Sequence, residues 1–219
     1  MLSPSDPDLL VLLGLRLRSF APAGAIAETV GLAEADTEAR LQELAGGGLA
    51  RFRDGRTTGW MPTPEGRVDG ERRLAAELDT TGTRAAVDGA YRRFLTINQR
   101  MLDTCTDWQL RVVAGDQVVN DHADADHDRR VVAQLADLDA LVQPIVADLA
   151  EALERFGGYG PRLAAALAKV QGGEADWFTK PTIDSYHTVW FELHENLLAT
   201  LGIERGSEPA PTPTAEEAR

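Results

Sequence analysis

The sequence predicts a mainly α protein in two parts: an N-terminal winged helix-turn-helix with a short β-hairpin wing, followed by a C-terminal antiparallel helical bundle. Three observations carry the prediction. Helical apolar periods within residues 7–46 run into two short extended stretches joined at Asp54 and Gly55, a hairpin signal. No convincing strand pattern follows residue 83. Long apolar stripes at alternating spacings of three and four occupy most of the remainder.

The first helix is expected over residues 7–20, with Leu9, Leu10, Leu13 and Leu17 on its buried face. Pro22 opens a second, AGAIAETVGL, which Gly31 ends. A third follows in AEADTEARLQELAGGGL, with Ala35, Ala39, Leu41 and Leu44 inward and Gly46–Gly48 terminating it. LARFRDG and TTGWMPTPEG then form the wing. A charged helix over residues 67–78 leads away from it, and the LDTTGTR stretch breaks the chain near residues 79–83.

The second part opens with a helix over residues 83–110, about 40 Å long at 1.5 Å per residue. Its stripe is Tyr91, Phe94, Leu95, Met101, Leu102, Cys105 and Trp108. The next spans about 127–156 on Val131, Leu135, Leu138, Val142, Ile145, Leu149 and Leu153, with Pro144 predicting a kink or break. After a Gly-rich turn at 157–161 comes a short helix to Val170. The last helix is entered through Lys180 and Pro181, with Pro181 in its first turn. These elements divide the chain into a winged-helix domain at 1–80, a bundle at 81–205 for dimerisation or effector binding, and a disordered tail at 206–219 rich in Pro, Thr, Ala and Glu.

Composition bounds the function. A chain of 219 residues, 43% hydrophobic, supports a sizeable core. A formal net charge of -13 repels phosphate backbones, so any nucleic-acid contact must be local. One cysteine excludes an internal disulfide framework and fits a reducing cytoplasm. The apolar run at 9–17 is too short to span a bilayer, so no membrane segment is expected.

The stretch AIAETVGLAEADTEARLQELAGGGLARFRDG, with WMPTPEGR after it, resembles the MarR-type winged-helix regulators over the first third of the chain. Leu41, Leu44, Leu49 and Arg51 match the end of that family's recognition helix, and Pro64, Glu65 and Gly66 match the close of its wing. The resemblance implies a transcriptional regulator, a homodimer on double-stranded DNA, with a possible small-molecule effector. The expected DNA contacts are Asp36, Thr37 and Arg40 on the third helix and Arg51, Arg53 and Arg56 on the wing, with Arg16, Arg18 and Arg67 flanking. One feature departs from the pattern. The third helix begins with Glu34, Asp36 and Glu38, and residues 1–80 hold thirteen acidic side chains against nine basic ones. The alternative reading is therefore a winged helix that docks a partner enzyme and binds no DNA.

Three polar clusters interrupt the apolar pattern of the second part. Asn98 falls on the stripe of its helix and requires either an interhelical partner or a ligand. The segment NDHADADHD resembles the opening of a calcium loop but lacks its glycine and its closing glutamate. Asp126 or Asp128 is expected to cap the following helix, and His122 and His127 to lie in an exposed loop. In the last helix, Tyr186, Val189, Leu193 and Leu197 form an inward ridge beside Asp184, His187, Phe191, His194 and Leu198. Asn98, Trp108, Tyr186, His187, Trp190 and His194 are the candidate ligand-binding residues, set in an aromatic and polar region between helices. His187 and His194 stand two turns apart, too far for the one-turn pair of a metalloprotease, so a metal site would need His122 or His127 as partners. No nucleophile motif, phosphate loop or dinucleotide fingerprint occurs. No catalytic function, metal or cofactor is expected; a metal- or metabolite-dependent helical enzyme is the third reading.

Overall fold

The computed structural model of the chain describes residues 4–113 and 115–207, so the expected tail lies outside them from residue 208 onward. The described residues are mainly helical, with nine α-helices and two small antiparallel hairpins. None of these helices is long and apolar enough to cross a membrane. Contacts gather them into two compact units. One holds the described residues of Met1–Val87, Ala150–Phe156 and His194–Glu208; the other holds those of Asp88–Leu149 and Gly157–Leu193.

In the first unit, α1 (Pro7–Arg18) begins where the Asp6 carboxylate accepts from the Leu9 N–H and Pro7 opens the first turn. It is buried on two sides rather than on the single stripe expected. Val11, Leu12 and Leu15 join the core with Ile26, Leu41 and Leu44, while Leu9 and Leu13 pack on Leu74 and Ala199. The closely packed α2 (Ala23–Val30) leaves no room for a side chain on Gly14, whose Cβ would lie 2.8 Å from an Ile26 methyl. In α3 (Glu34–Gly46) the buried positions are Thr37, Leu41 and Leu44. Ala35 and Ala39, expected inward, are exposed. Leu41 and Leu44 set the phase, and Ala39 sits about 200° round the helix from Leu41.

Strands β1 (Ala50–Arg53) and β2 (Gly59–Pro62) pair antiparallel, Phe52 opposite Trp60. The connection is the five-residue stretch 54–58, longer than a tight two-residue turn at Asp54 and Gly55. Trp60 also exchanges both backbone hydrogen bonds with Ala21, which anchors the wing to the end of α1. The sequence TPEG then ties the wing to α4 (Pro64–Thr81). Thr63 caps α4 by accepting from the Gly66 N–H, donates its hydroxyl to the Gly48 carbonyl, and gives its own N–H to the Leu49 carbonyl. Gly66 crosses that carbonyl so closely that a Cβ there would stand 1.8 Å from the Leu49 oxygen. Behind α4, Arg155 is almost wholly buried, and its guanidinium donates to Glu77, Asn196 and Thr200. A buried charge is tolerable only when its donors are satisfied in this way.

In the second unit, α5 (Arg84–Gln109) and α6 (Ala125–Ala152) run antiparallel. Arg93 pairs with Asp148 near one end, and His127 Nε2 donates to the Asp107 carbonyl near the other. Every expected core position of α6 is buried, and the helix continues through Pro144. On α5, Leu102 is exposed, contrary to its place in the expected stripe. Between the two helices the absence of strands is overturned. A second hairpin, β3 (Leu110–Val113) with β4 (Asp116–Val119), reverses around Gly115 at φ 97. Its β-branched pairs and the Gly-Asp dipeptide are a strand signal hidden at the end of a long helical stripe. Buried Asn120 locks its base, donating to the Trp108 carbonyl and to Asp128 and accepting from the His122 N–H.

The cap of α6 is Asp124, whose Oδ1 accepts from the N–H groups of Asp126 and His127; Asp126 and Asp128 lie inside the first turn instead. The helix α7 (Tyr159–Gln171) starts two residues before Pro161, and α8 (Asp176–Thr179) is a single turn. Helix α9 (Tyr186–Leu201) is opened not by Pro181 but by Ser185, whose hydroxyl accepts from the Thr188 N–H. Polar links join these helices within the unit: Tyr186 to Asp139, Gln143 to the Gly160 carbonyl, and Arg162 to Asp184 and Glu192.

Candidate nucleic-acid interface

The wing displays its arginines because of strand alternation. In β1 the side chains of Arg51 and Arg53 point to one face, and Phe52 points to the other. The Phe52 ring meets Trp60 at 5.0 Å between centroids. Arg51, Arg53 and Arg56 are all exposed. Among the described residues none of them pairs with a carboxylate; Arg51 donates to the Met61 sulfur at 3.2 Å. Arg67 is likewise exposed, but several other arginines of this unit are occupied. Arg16 pairs with Glu71, Arg18 donates to Thr29, and Arg72 and Arg73 share Asp69. The guanidinium of Arg72, opposed in part by burial, holds the Asp69 carboxyl below its ordinary range.

The third helix is arranged differently from the expectation for DNA contacts. Arg40 is tied to Asp8 on α1 at 2.6 Å. Thr37 is fully buried, and its hydroxyl has no hydrogen-bond partner, so it faces the core. Asp36 is exposed. Of the neighbouring acids, Glu38 accepts from the Trp60 indole N–H and from Gln42, and Glu34 packs its carboxylate against Gly24 in the first turn of α2. Of the three acids at the start of this helix, Glu38 is therefore held by hydrogen bonds, while Glu34 and Asp36 are exposed. Its outward stripe is Ala35, Asp36, Ala39, Gln42 and Glu43.

The candidate ligand residues fall into separate groups. Asn98 accepts from the Trp190 indole N–H at 2.9 Å, the interhelical bond that its position on the stripe calls for. Trp190 packs on Phe94 and lies 6.2 Å from the Tyr186 ring. Tyr186 is buried and donates to Asp139; burial, followed by the nearby carboxylate, raises its pKa. Trp108 belongs to another aromatic group, stacked on Phe178 at 4.4 Å and close to His122. His187 is half-buried, and burial lowers its pKa. His194 is buried and belongs to the first unit, whereas the other five lie in the second.

His122 is exposed but fixed, its Nδ1 3.0 Å from Asp128 and its backbone in the left-handed region. Among the described residues no three His, Cys, Asp or Glu side chains gather as a metal-binding group. Burial pushes the Cys105 thiol up to about 12, which keeps it from acting as a thiolate nucleophile. Sequence reasoning missed the buried guanidinium of Arg155 and the half-buried one of Arg162. Neither carries a local spacing signal, because their partners lie between twenty-two and seventy-eight residues away.

Fold and surface together define a winged helix-turn-helix with an uncommitted basic wing, joined in one chain to a set of packed helices. Comparison of the chain with protein-family models, with curated proteins and with solved structures finds no match.

Proposed function

We propose that this chain is a cytoplasmic, MarR-like transcriptional regulator that binds double-stranded DNA as a homodimer, its wing on the phosphate backbone. The observation that carries the reading is the state of Arg51, Arg53 and Arg56: exposed on one hairpin, and without a carboxylate partner among the described residues, in a chain of net charge -13. Arg16, Arg40, Arg72 and Arg73 are spent on carboxylates. The wing arginines, with exposed Arg67 in the first turn of α4, have no carboxylate partner among the described residues and mark where an external anion belongs. The helical second part supplies the dimer surface or the effector site in this reading.

The test uses genomic fragments selected by the purified full chain. Each phosphate contact contributes about -0.9 to the slope of log affinity against log salt, so three contribute about -2.7. Raising salt from about 50 to about 200 mM should then weaken binding about forty-fold through one wing, and about 1,800-fold through both wings of the dimer. The triple Arg51→Ala, Arg53→Ala, Arg56→Ala variant should lose that share of the slope. Failure to retain any fragment at low salt sinks the reading. It would favour docking of a protein partner, a reading supported by the small, acidic outward stripe of α3.

A further inference from the structure

The first turn of α1 and the outer face of α4 enclose a cleft of about 300 Å³ within the first unit. That is the lower end of the range for small-molecule sites, about 300–1,000 Å³. Leu9 and Ala76 supply apolar wall, and Asp6, Arg72, Arg73 and Glu77 supply charge. Their remaining hydrogen-bonding capacity defines the ligand. Arg72 gives Nε and Nη2 to Asp69, and Arg73 gives Nε to Asp69 and Nη1 to Asp6. Among the described residues, one terminal nitrogen of each guanidinium is left over. Asp6 uses Oδ1 for both the Leu9 N–H and Arg73, and Glu77 uses Oε2 for Arg155. One oxygen of each carboxylate is left over as well.

Spare donors and spare acceptors are thus matched. A simple anion would satisfy the guanidiniums and face two carboxylates; a simple cation would meet the reverse. A molecule with one charge of each sign and an apolar body satisfies both and covers Leu9 and Ala76. We propose that this cleft binds a small zwitterion with an apolar side chain, an α-amino acid of the size of leucine to phenylalanine. Its carboxylate lies on Arg72 and Arg73, and its ammonium on Asp6 and Glu77.

Calorimetric titration of the full chain with L-phenylalanine and L-leucine tests this, with hydrocinnamate and phenethylamine as analogues lacking one charge each. The expected result is saturable one-to-one binding of the amino acids, with both analogues at least about tenfold weaker. Ala76→Phe fills the cleft from an exposed helix position and should abolish binding with unchanged melting. Arg73→Met should bring phenylalanine down to the affinity of phenethylamine. Absence of saturation at about 10 mM ligand, an analogue that binds as well as the amino acid, or binding that survives Ala76→Phe overturns the proposal. No DNA enters the assay, so its outcome is separate from that of the DNA-binding reading.

Discussion

Replacing Gly66 by alanine should cripple the first unit, and the size of the effect follows from one close approach. The new Cβ would stand 1.8 Å from the Leu49 carbonyl oxygen, where an ordinary contact is 3.4–4 Å. Backbone lies on both sides of the clash, so α4 must draw back from the turn at Gly48 and Leu49 by about 1.6 Å. That movement breaks the bonds of Thr63 to the Gly48 and Leu49 carbonyls, now 2.7 and 3.1 Å. Each is worth about 1 kcal/mol net. Overpacking adds about 1–3 kcal/mol, for a total of about 3–5 kcal/mol. At about 2–4 °C per kcal/mol for a chain of this size, the melting temperature should fall by about 6–20 °C. Calorimetry or circular dichroism measures it. Gly89→Ala is the control, since its Cβ meets nothing on the exposed side of α5. Helix propensity there should add about 1 kcal/mol, raising the melt by about 2–4 °C. A Gly66→Ala protein melting within about 2 °C of the parent would refute the geometric argument.

Thr37→Val should stabilise the chain, because it removes a buried hydroxyl that has no partner, a group costing about 1–3 kcal/mol; it should leave any DNA affinity unchanged, and a loss of DNA binding would contradict the inward placement of Thr37. His187 should make stability depend on pH. Burial lowers its pKa in the folded state from 6.5, so the unfolded chain takes up the proton first. Stability is then full above about 6.5 and falls as pH drops from there toward the folded value; His187→Gln should flatten the melting-temperature profile over that window. Cys105, with its thiol pushed up to about 12, should resist thiol-specific reagents in the native protein and react once denaturant is added. Rapid labelling of the native chain would show the burial to be wrong.

Much of the fold was legible because local rules and packing agree at the same residues. The α6 stripe reads directly into its buried face, and Asn98 lies where an interhelical bond forms. TPEG is expected to close the wing, whereas Thr63 caps α4 and Pro64 begins it, three residues before the expected start at Arg67. The errors have separate physical causes. In α3, alanines are too small to report their own direction, so Ala35 and Ala39 were placed inward while the two leucines set the phase. At residues 110–119 the helical stripe of α5 masked two valine pairs flanking a glycine turn. Three acids within NDHADADHD compete for one cap, and sequence spacing does not choose Asp124 over its neighbours. The site was legible in part: exposed wing arginines follow from strand alternation, but the pairing of Arg40 with Asp8 is tertiary and has no local sign.

The assembly of the first unit from three separate segments has a consequence for synthesis. Glu77 finds Arg155, and Leu9, Leu13 and Leu74 find Ala199, only after those later residues exist. A ribosome working at about 5–20 residues per second needs about 6–22 s to travel the roughly 110 residues from Val87 to Ala199. Throughout that interval the face of α1 and α4 that carries Leu9, Leu13 and Leu74 lacks part of its apolar cover. The face of α1 and α4 around Leu9, Leu13 and Leu74 is therefore completed only after Ala199 has been made, and a fragment cut after Val87 would carry that surface uncovered permanently.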